Sequence, residues 1–348
     1  MRTLNLRTQL RRRDKSRKSK LIAILQIFRF EYIYATLPGM TITFFLCARS
    51  PWNFLSTRVV EGLAIIALMI FAGLGINSVI DRHIDCKYAT FKNRIPEAIE
   101  FVGRRETWAI IFVQTAIAAL LAVHIALGSG TRSSFVLFLF AAEAFFSYGY
   151  SIPPLQFKLR GLLWHGVSLM LFTVIIPFVL SAYTYLGNIP ISLLTFIVGF
   201  ALVQYGFEFS NQALDYLEDR REELRTPAVR LGVVGSIRAS LVVPLVGMVI
   251  CFGGLYWQIV ERWRTIHQGH LLWSMHLTWA VAVSVMLVGY FVPMRNIWRM
   301  YILCRVESPE QCVPKLPPLC HYAFWQASSV SGTAAAAAIF FVASNYLW

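Results

Sequence analysis

The chain has 348 residues, of which 57% are hydrophobic and only 14% are charged, with a mean hydropathy of +0.58. A soluble domain carries about 25% charged residues, so this composition excludes a soluble protein and indicates a polytopic membrane protein. The formal net charge of +14 could suggest a nucleic-acid partner. The basic residues, however, lie in one tail and at one set of predicted membrane edges, so we expect no nucleic acid.

Residues 1–20 form a basic tail in which Asp14 is the single acid. No apolar segment with a cleavage site follows directly, so the tail is not a secretory signal. Two interpretations stay open. The tail could be a mitochondrial transit peptide, or it could be a cytoplasmic segment that fixes orientation and binds anionic lipid. The remaining residues, 21–348, are predicted to form a single transmembrane domain.

Nine apolar stretches are long enough to cross a bilayer, which takes about 20 helical residues. They lie at 28–48, 59–81, 107–127, 134–151, 162–185, 189–213, 231–257, 271–291 and 322–347. We therefore expect an all-α polytopic membrane bundle of about nine transmembrane helices. The hydrophilic loops after the second and sixth spans are longer than a usual connection, and we expect them to cap a site.

The charges of the loops indicate an orientation. Lys and Arg are concentrated on the side that the N-terminus shares with the loops after the second and sixth spans. The opposite side has only Arg49, Arg58, Arg132, Arg262 and Arg264. The positive-inside rule places the N-terminus and both long loops in the cytoplasm or an equivalent compartment, and the C-terminus opposite.

Two stretches at the ends of the second and sixth spans share one pattern. The pattern consists of an Asn and two Asp residues spaced four apart, namely Asn77, Asp81 and Asp85 in the first and Asn211, Asp215 and Asp219 in the second. On a helix such residues lie along one face. Both stretches emerge at the same predicted membrane edge, so the sequence predicts two acidic clusters at one surface.

Carboxylates at this position need a compensating charge, because Asp residues one helical turn apart repel each other. Hard oxygen ligands suit Mg²⁺, which typically uses one or two carboxylates, waters and a substrate phosphate. Two such clusters ringed by Lys and Arg could hold a diphosphate through bridging metal ions. The alternative is that these residues form salt bridges at helix ends that extend to water. It does not explain why the same pattern occurs twice.

With these motifs the chain resembles the UbiA-type intramembrane prenyltransferases. Residues 77–96, NSVIDRHIDCKYATFKNRIP, are similar to the family's first motif, which is usually close to NDxxDRxIDxxxxRTKNRPL. Ser78 stands where Asp is usual, Phe91 stands where Thr is usual, and Ile95 precedes the proline.

Two further segments carry the resemblance. Residues 211–232, NQALDYLEDRREELRTPAVRLG, are most similar to the motif of the quinone-biosynthesis branch, NNxxDxxxDxxxGxxTLAVRLG. The usual loop Gly is replaced by Glu223 or Leu224. Residues 150–161, YSIPPLQFKLRG, are similar to the family's YSPPLxxKxxG segment. The resemblance spans most of the chain.

The resemblance implies an allylic polyprenyl diphosphate as the donor and Mg²⁺ as the cofactor, in contact with membrane lipid. The implied metal ligands are Asp81, Asp85, Asp215 and Asp219, with Asn77 and Asn211 assisting. The implied diphosphate contacts are Arg29, Lys92, Arg94, Lys158 and Arg160, and the residues that line the pocket near the reacting carbon are Tyr150 and Ser151. Stabilisation of the leaving diphosphate would let the allylic C–O bond ionise.

Two acids lie inside apolar spans. Glu143 precedes Tyr150 by seven residues and Glu208 precedes Asn211 by three, so each shares a helical face with a motif residue. An intramembrane acid suggests a function, and either could be catalytic by binding an acceptor or removing its proton. A carboxylic acid hydrogen-bonded to a neighbouring helix is the alternative for both.

Three functions fit these features. The first is transfer of a prenyl group to a small acceptor, an aromatic compound or a quinone precursor. The second is a terpene cyclase on the same scaffold, in which the allylic cation is captured by its own double bonds. The third, an ion-coupled transporter, is disfavoured because transporter sites lie near the bilayer midplane, whereas these clusters lie at one edge.

Overall fold

A computed structural model describes residues 20–30, 41–47, 50, 52, 56–87, 94–128, 133–186, 188–266, 272–320 and 330–346. Over these residues the regular secondary structure is helical. The helices are α1 (Lys20–Ile27), α2 (Thr57–Asp85), α3 (Arg94–Val102), α4 (Arg104–Leu127), α5 (Ser133–Gly149), α6 (Leu162–Met170), α7 (Ile176–Leu186), α8 (Ile191–Arg221), α9 (Pro227–Ile266), α10 (Leu272–Val306), α11 (Pro309–Cys312) and α12 (Gly332–Tyr346).

Eight of the predicted spans correspond to apolar helices. Six described segments are long enough to cross a membrane: α2, α4, the continuous α6–α7 segment, α8, α9 and α10. The shorter α5 and α12 are also apolar. The all-α membrane architecture is therefore confirmed, and the chain is an integral membrane protein. The first predicted span is described only at 28–30 and 41–47, so the count of nine stays a prediction.

Helices α8 and α9 pack closely because glycines remove side chains from their contact. A Cβ added at Gly199 would lie 2.3 Å from the backbone nitrogen of Cys251. One added at Gly254 would lie 2.5 Å from the backbone nitrogen of Phe196. Small residues let helix backbones approach each other in membranes, where close packing replaces the hydrophobic effect. This hairpin fixes the end of α8, where the second Asp motif lies.

Part of the long loop that the sequence predicted after α8 is helical. Helix α8 runs to Arg221, residues 222–226 connect it to α9, and the first residues of α9, 227–231, are separated from the rest of that helix by a kink at Gly232, where φ is 72°. The helix continues past the apolar run because Tyr216 is buried and Leu217 packs against the same core. The second Asp motif therefore lies on a rigid helix that projects beyond the apolar part of the span.

Two short helices cover the polar end of α2. Ser78 is 0% exposed, and its hydroxyl donates to the carbonyl of Ile27, the last residue of α1, at 2.9 Å. Arg82 forms an ion pair with Glu100 of α3, with 2.5 Å between nitrogen and oxygen. Helix α3 lies within the first predicted cap, and it buries Ile99 in a core shared with α1. The first Asp motif is thus held from two sides.

Helices α6 and α7 are joined by a π-helical turn, Leu171–Ile175. Such a turn inserts a residue and changes the direction in which side chains point, and it occurs frequently at functional sites. Here it places Phe172 against Tyr150, with ring centroids 5.3 Å apart.

Candidate functional site

The first Asp motif lies on the last turns of α2 and contacts a lysine of the 150–161 segment. Asn77 accepts hydrogen bonds through Oδ1 from Ser151 Oγ at 2.8 Å and from Lys158 Nζ at 3.1 Å. Lys158 also donates to Asp81 Oδ1 in an ion pair, and both side chains are mostly buried. The first and third sequence motifs therefore meet, and an ammonium group neutralises the acidic cluster.

The 150–161 segment is stabilised by its own arginine. Arg160 donates to the carbonyls of Pro154 at 2.7 Å and Leu155 at 2.5 Å. Gly161 has a φ of 86°, and a Cβ there would lie 2.7 Å from the guanidinium carbon of Arg230. Glycine is therefore favoured by the backbone conformation, and the guanidinium of Arg230, which belongs to the second motif, lies close to it. The predicted contact of Arg160 with a diphosphate stays a prediction.

The second Asp motif lies on the last turns of α8. Asn211 Nδ2 donates to Glu208 Oε1 at 3.1 Å. At the other end of the motif, Thr226 donates through its hydroxyl to Asp219 Oδ2 at 2.8 Å, so the short loop folds back onto the helix. Asp215 lies between these contacts and is half-buried.

Glu223 occupies the position where the family usually has Gly in this loop. Its φ is 54°, a left-handed conformation that glycine adopts without strain. Glu223 therefore has a backbone conformation that a glycine could also adopt.

Two contacts show that the motifs lie at the same end of the bundle. Lys87, two residues after Asp85, forms an ion pair with Glu222, three residues after Asp219, with 2.6 Å between nitrogen and oxygen. Arg230, which belongs to the second motif, approaches Gly161 of the 150–161 segment. The two Asp motifs and the 150–161 segment therefore surround one polar region.

Sequence reasoning missed a buried polar pair behind Tyr150. Tyr150 Oη lies 2.9 Å from His165 Nε2, and the amide nitrogen of Gln212 lies 2.9 Å from the same ring nitrogen. His165 is 3% exposed and Gln212 is 8% exposed. The signal that could have found them is a polar residue within an apolar span, since such residues are rare and costly in membranes.

Glu143 and Glu208 lie at different depths. Glu143 is two helical turns before Tyr150, which corresponds to about 10 Å along α5. It is 3% exposed, and neither carboxyl oxygen has a hydrogen-bond partner among the described residues. Ser147, one turn further on, faces α2, where a Cβ at Gly73 would lie 2.4 Å from its hydroxyl oxygen. Of the two acids, Glu208 is the one beside the motifs.

The other predicted diphosphate contacts have different positions. Lys92 lies outside the described residues. Arg94 begins α3 and is exposed. Arg29 follows α1 with a φ of 48°, which is uncommon for a residue other than glycine. The roles of all three residues stay predictions.

The donor set of the two motifs suits a hard divalent cation such as Mg²⁺. Each motif offers two carboxylates one turn apart and an amide oxygen. In the described part of the chain, no three His, Cys, Asp or Glu side chains converge as a closed ligand set. Mg²⁺ does not require one, because it usually keeps waters and substrate phosphate oxygens among its ligands. The residues present therefore fit the ion.

Comparison with known proteins identifies one family. The model of the UbiA prenyltransferase family matches residues 37–303. Curated protein sequences give no match. The family match covers the two Asp motifs and the 150–161 segment, so it includes the residues that form the polar region.

Solved structures of a UbiA homolog from Archaeoglobus fulgidus share the fold. The form bound to DMAPP and Mg²⁺ is 14% identical with a TM-score of 0.57, over 88% of this chain and 98% of that one. The form bound to GPP and Mg²⁺ is 15% identical with a TM-score of 0.56, over 89% and 99%. A form bound to Cd²⁺ is also 15% identical, with a TM-score of 0.55. This likeness confirms the predicted bundle.

Proposed function

Because the chain belongs to the UbiA prenyltransferase family, we propose that it is a Mg²⁺-dependent enzyme that transfers a prenyl group from an allylic polyprenyl diphosphate to a small acceptor within the membrane. We propose an aromatic compound or a quinone precursor as the acceptor. The homolog from Archaeoglobus fulgidus was solved with DMAPP or GPP and Mg²⁺, which supports the donor and the metal. The observation that carries the proposal is the contact of Lys158 with Asn77 and Asp81 of the first Asp motif, at the end of the bundle where the Lys87–Glu222 ion pair joins the residues beyond the two motifs.

The polar region would bind the diphosphate. The residues that would hold the metal are Asp81, Asp85, Asp215 and Asp219, with Asn77 and Asn211 assisting. When bound, Mg²⁺ supplies positive charge that stabilises the departing diphosphate. Lys158 can turn its ammonium from Asp81 to a phosphate oxygen, because its four-carbon stem is flexible and its charge is compact. Arg29, Lys92 and Arg94 would neutralise the remaining phosphate oxygens.

The reacting carbon would lie beside Tyr150 and Ser151, between the polar region and the apolar interior. Tyr150 and Phe172 contact each other there through their rings. Aromatic faces attract a cation, so this pair would stabilise the allylic carbon as its bond to the diphosphate oxygen breaks. The prenyl tail would extend among the apolar helices.

The acceptor needs a group that removes its proton after its attack on the prenyl carbon. We propose Glu208, because it accepts a hydrogen bond from Asn211 of the second Asp motif. We propose a second role for Glu143, the binding of a polar atom of the acceptor deeper in the pocket. Its carboxyl oxygens have no hydrogen-bond partner in the described residues, and a buried polar group without a partner is unfavourable.

A terpene cyclase is the second candidate, and the departures from the family's motifs favour it. Two of those departures have a structural explanation, however. Ser78 packs against α1 and not against the polar region, and Glu223 has a left-handed conformation that a glycine could also adopt. The acids argue for transfer, since a cyclase needs a dry, aromatic-lined pocket in which a carboxylate would trap the cation early.

The test is incubation of the purified protein with allylic diphosphates of several lengths, with and without aromatic acceptors, followed by mass analysis of the lipids and measurement of released diphosphate. A prenylated acceptor is the expected product. If diphosphate and a hydrocarbon form without any acceptor, the protein is a terpene cyclase and not a transferase. No diphosphate release from any donor would contradict both.

We also propose that the polar region faces the cytoplasm or an equivalent compartment, with the C-terminus opposite. The support is the charge bias of the loops. Cys86 follows the first motif and is the exposed one among the six cysteines. In sealed vesicles of known orientation, a membrane-impermeant maleimide should label Cys86 from the cytoplasmic side and should not label a Cys86→Ser variant. Labelling from the other side would reverse the orientation.

A further inference from the structure

A second polar contact lies on the outer surface of the bundle, between α9 and α10. A guanidinium nitrogen of Arg238 in α9 donates to the phenol oxygen of Tyr301 in α10 at 3.3 Å. The guanidinium carbon of Arg238 also lies 5.6 Å from the centroid of the Tyr301 ring. These two contacts with one side chain restrict the direction of the guanidinium. Arg238 is nevertheless exposed, and its other N–H groups can donate to a ligand.

The packing of α8 against α9 gives the depth of this contact. A Cβ added at Gly206 would lie 2.4 Å from Pro244, and the two helices form an antiparallel hairpin. Arg238 precedes Pro244 by six residues, and Gln212 follows Gly206 by six, so Arg238 and Gln212 lie at about the same level. Gln212 directly follows Asn211 of the second Asp motif. Arg238 therefore lies at the end of the bundle that carries the polar region, where head groups of lipids lie.

Acidic residues are scarce around this contact. Helices α9 and α10 contain Glu261 as their single acid, and it lies near the far end of α9. The next acid along the chain, Glu307, forms an ion pair with Lys315, with 2.5 Å between nitrogen and oxygen. Arg305 in the last turn of α10 is exposed like Arg238. Within the described ranges, neither of these two arginines has a carboxylate partner.

The faces of α9 and α10 change from charged to apolar toward the membrane interior. Arg305 lies one turn beyond Tyr301, and Trp298 lies one turn before it with the two rings 5.4 Å apart. Deeper in the membrane, Phe291 shares the face of Trp298, and Val242 lies one turn below the arginine of α9. Trp298, Phe291 and Val242 are all exposed. This order of charged, interfacial aromatic and apolar side chains matches an amphiphile that lies along the helices.

We propose that the α9–α10 surface, formed by Arg238, Tyr301, Arg305 and Trp298, binds an anionic phospholipid. Basic surfaces between transmembrane helices bind anionic head groups. The guanidinium of Arg238 would donate to the phosphate, for which its planar N–H groups are suited. Arg305 would add positive charge beside it, and the acyl chains would lie along the apolar side chains below. The α9–α10 surface lies outside the polar region of the Asp motifs, and its role does not depend on the proposed function.

Native mass spectrometry can measure this binding. The full-length protein in detergent is titrated with phosphatidylglycerol and, separately, with phosphatidylcholine of the same acyl chains. We expect the parent to bind phosphatidylglycerol more tightly, because the choline cation offsets the phosphate charge. Arg238→Gln and Arg305→Gln should each weaken the binding of phosphatidylglycerol about fivefold, the contribution of one arginine close to an anionic head group. Their binding of phosphatidylcholine should not change.

Arg299→Gln is the matched control. Arg299 is exposed near the same end of α10, but it lies two residues before Tyr301 and so faces away from it. This substitution removes one positive charge, as Arg238→Gln does, and the basic tail of residues 1–20 is present in both variants. General attraction of anionic lipid is therefore equal in the two. We expect Arg299→Gln to bind phosphatidylglycerol like the parent. A loss equal to that of Arg238→Gln would show attraction by net charge alone and would overturn the inference.

Fluorescence locates the lipid in a bilayer. Phosphatidylglycerol with brominated acyl chains quenches tryptophans that it contacts. At a low fraction in nanodiscs of phosphatidylcholine, it should quench a part of the fluorescence that Trp298→Phe removes. Trp273→Phe, which changes an exposed tryptophan at the opposite end of α10, should leave this quenching unchanged.

Three results would contradict the proposal. The first is quenching by the brominated lipid that persists in Trp298→Phe, since the lipid would then lie elsewhere. The second is equal affinity of the parent for phosphatidylglycerol and phosphatidylcholine. The third is displacement of phosphatidylglycerol by an equal concentration of inorganic phosphate, because the surface would then bind an anion without any contribution from the acyl chains.

Discussion

At the scale of single residues, spacing along a helix was readable from the sequence, and contacts between helices were not. The four-residue repeat placed Asn77 and Asp81 on one face, and the structure has them there, both in contact with Lys158. The pairing of Tyr150 with His165 involves two helices and a turn. No periodicity encodes it, because each residue alone is simply a polar group in an apolar stretch.

The Asp residues should be required for turnover. We expect Asp81→Ala and Asp215→Ala each to lower turnover at least about a hundredfold, since each removes charge stabilisation of the leaving group. Asp81→Ala should also lower the Tm of the metal-free protein, because Lys158 loses the partner of a mostly buried ion pair. Adding Lys158→Met to Asp81→Ala should restore that Tm. A Tm unaffected by Asp81→Ala would show that the ion pair does not contribute to stability.

Kinetic measurements should distinguish the roles of the two intramembrane acids, Glu208 and Glu143. Glu208→Gln should lower acceptor-dependent turnover by about a hundredfold while the affinity for the allylic diphosphate stays within a few-fold, because proton removal is lost but the diphosphate contacts remain. Glu143→Gln should mainly raise the KM for the acceptor. Turnover measured against acceptor concentration, with donors of several chain lengths, checks the first two effects. Calorimetric titration of the diphosphate checks its affinity. If neither variant affects acceptor turnover, neither acid serves the acceptor.

At the scale of elements, helix existence and approximate position followed from hydropathy, while helix ends did not. Helix α8 continues to Arg221 through residues that read as a hydrophilic loop. It does so because the apolar side chains among them, Leu214 and Leu217, pack against the core. The π-helical turn Leu171–Ile175 likewise has no signature in the hydropathy of its five apolar or weakly polar residues. Tertiary packing decides both features.

Two adjacent glycines provide a test of the α8–α9 contact. Gly254→Ala should lower the free energy of unfolding by about 1–3 kcal/mol, because its Cβ would lie 2.5 Å from the backbone nitrogen of Phe196. Gly253→Ala is the matched control, since no atom lies within 4 Å of the Cβ position there. Thermal unfolding in the same detergent compares the two. Equal stability of both variants would show that α8 and α9 are not in close contact at Gly254.

At the scale of the whole molecule, the arrangement of the motifs follows from the bundle. Two spans of similar composition end at the same level, so their last turns meet, and the Lys87–Glu222 ion pair joins the loops beyond them. The sequence predicted this meeting from the positions of the spans. It did not predict that the 150–161 segment lies between them, because that depends on how the segment crosses the end of the bundle.

Turnover of the whole enzyme should depend on a divalent cation. We expect complete loss of activity in excess chelator and recovery on addition of Mg²⁺, because four carboxylates near a diphosphate repel it unless cations intervene. Helical content measured by circular dichroism in the same samples is the control for unfolding. Full turnover in chelator, with no response to Mg²⁺, would remove the metal from the mechanism.

The ion pair between Lys158 and Asp81 has a thermodynamic consequence for the order in which the site fills. Under the proposed function, a metal ion that ligates Asp81 would compete with the Lys158 ammonium that contacts this carboxylate. The ammonium would leave at low cost only when an anion is available to receive it, and the diphosphate would be that anion. Each ligand would therefore raise the affinity of the other, and by the same factor. We expect the cation and the diphosphate to bind cooperatively and Mg²⁺ alone to bind weakly.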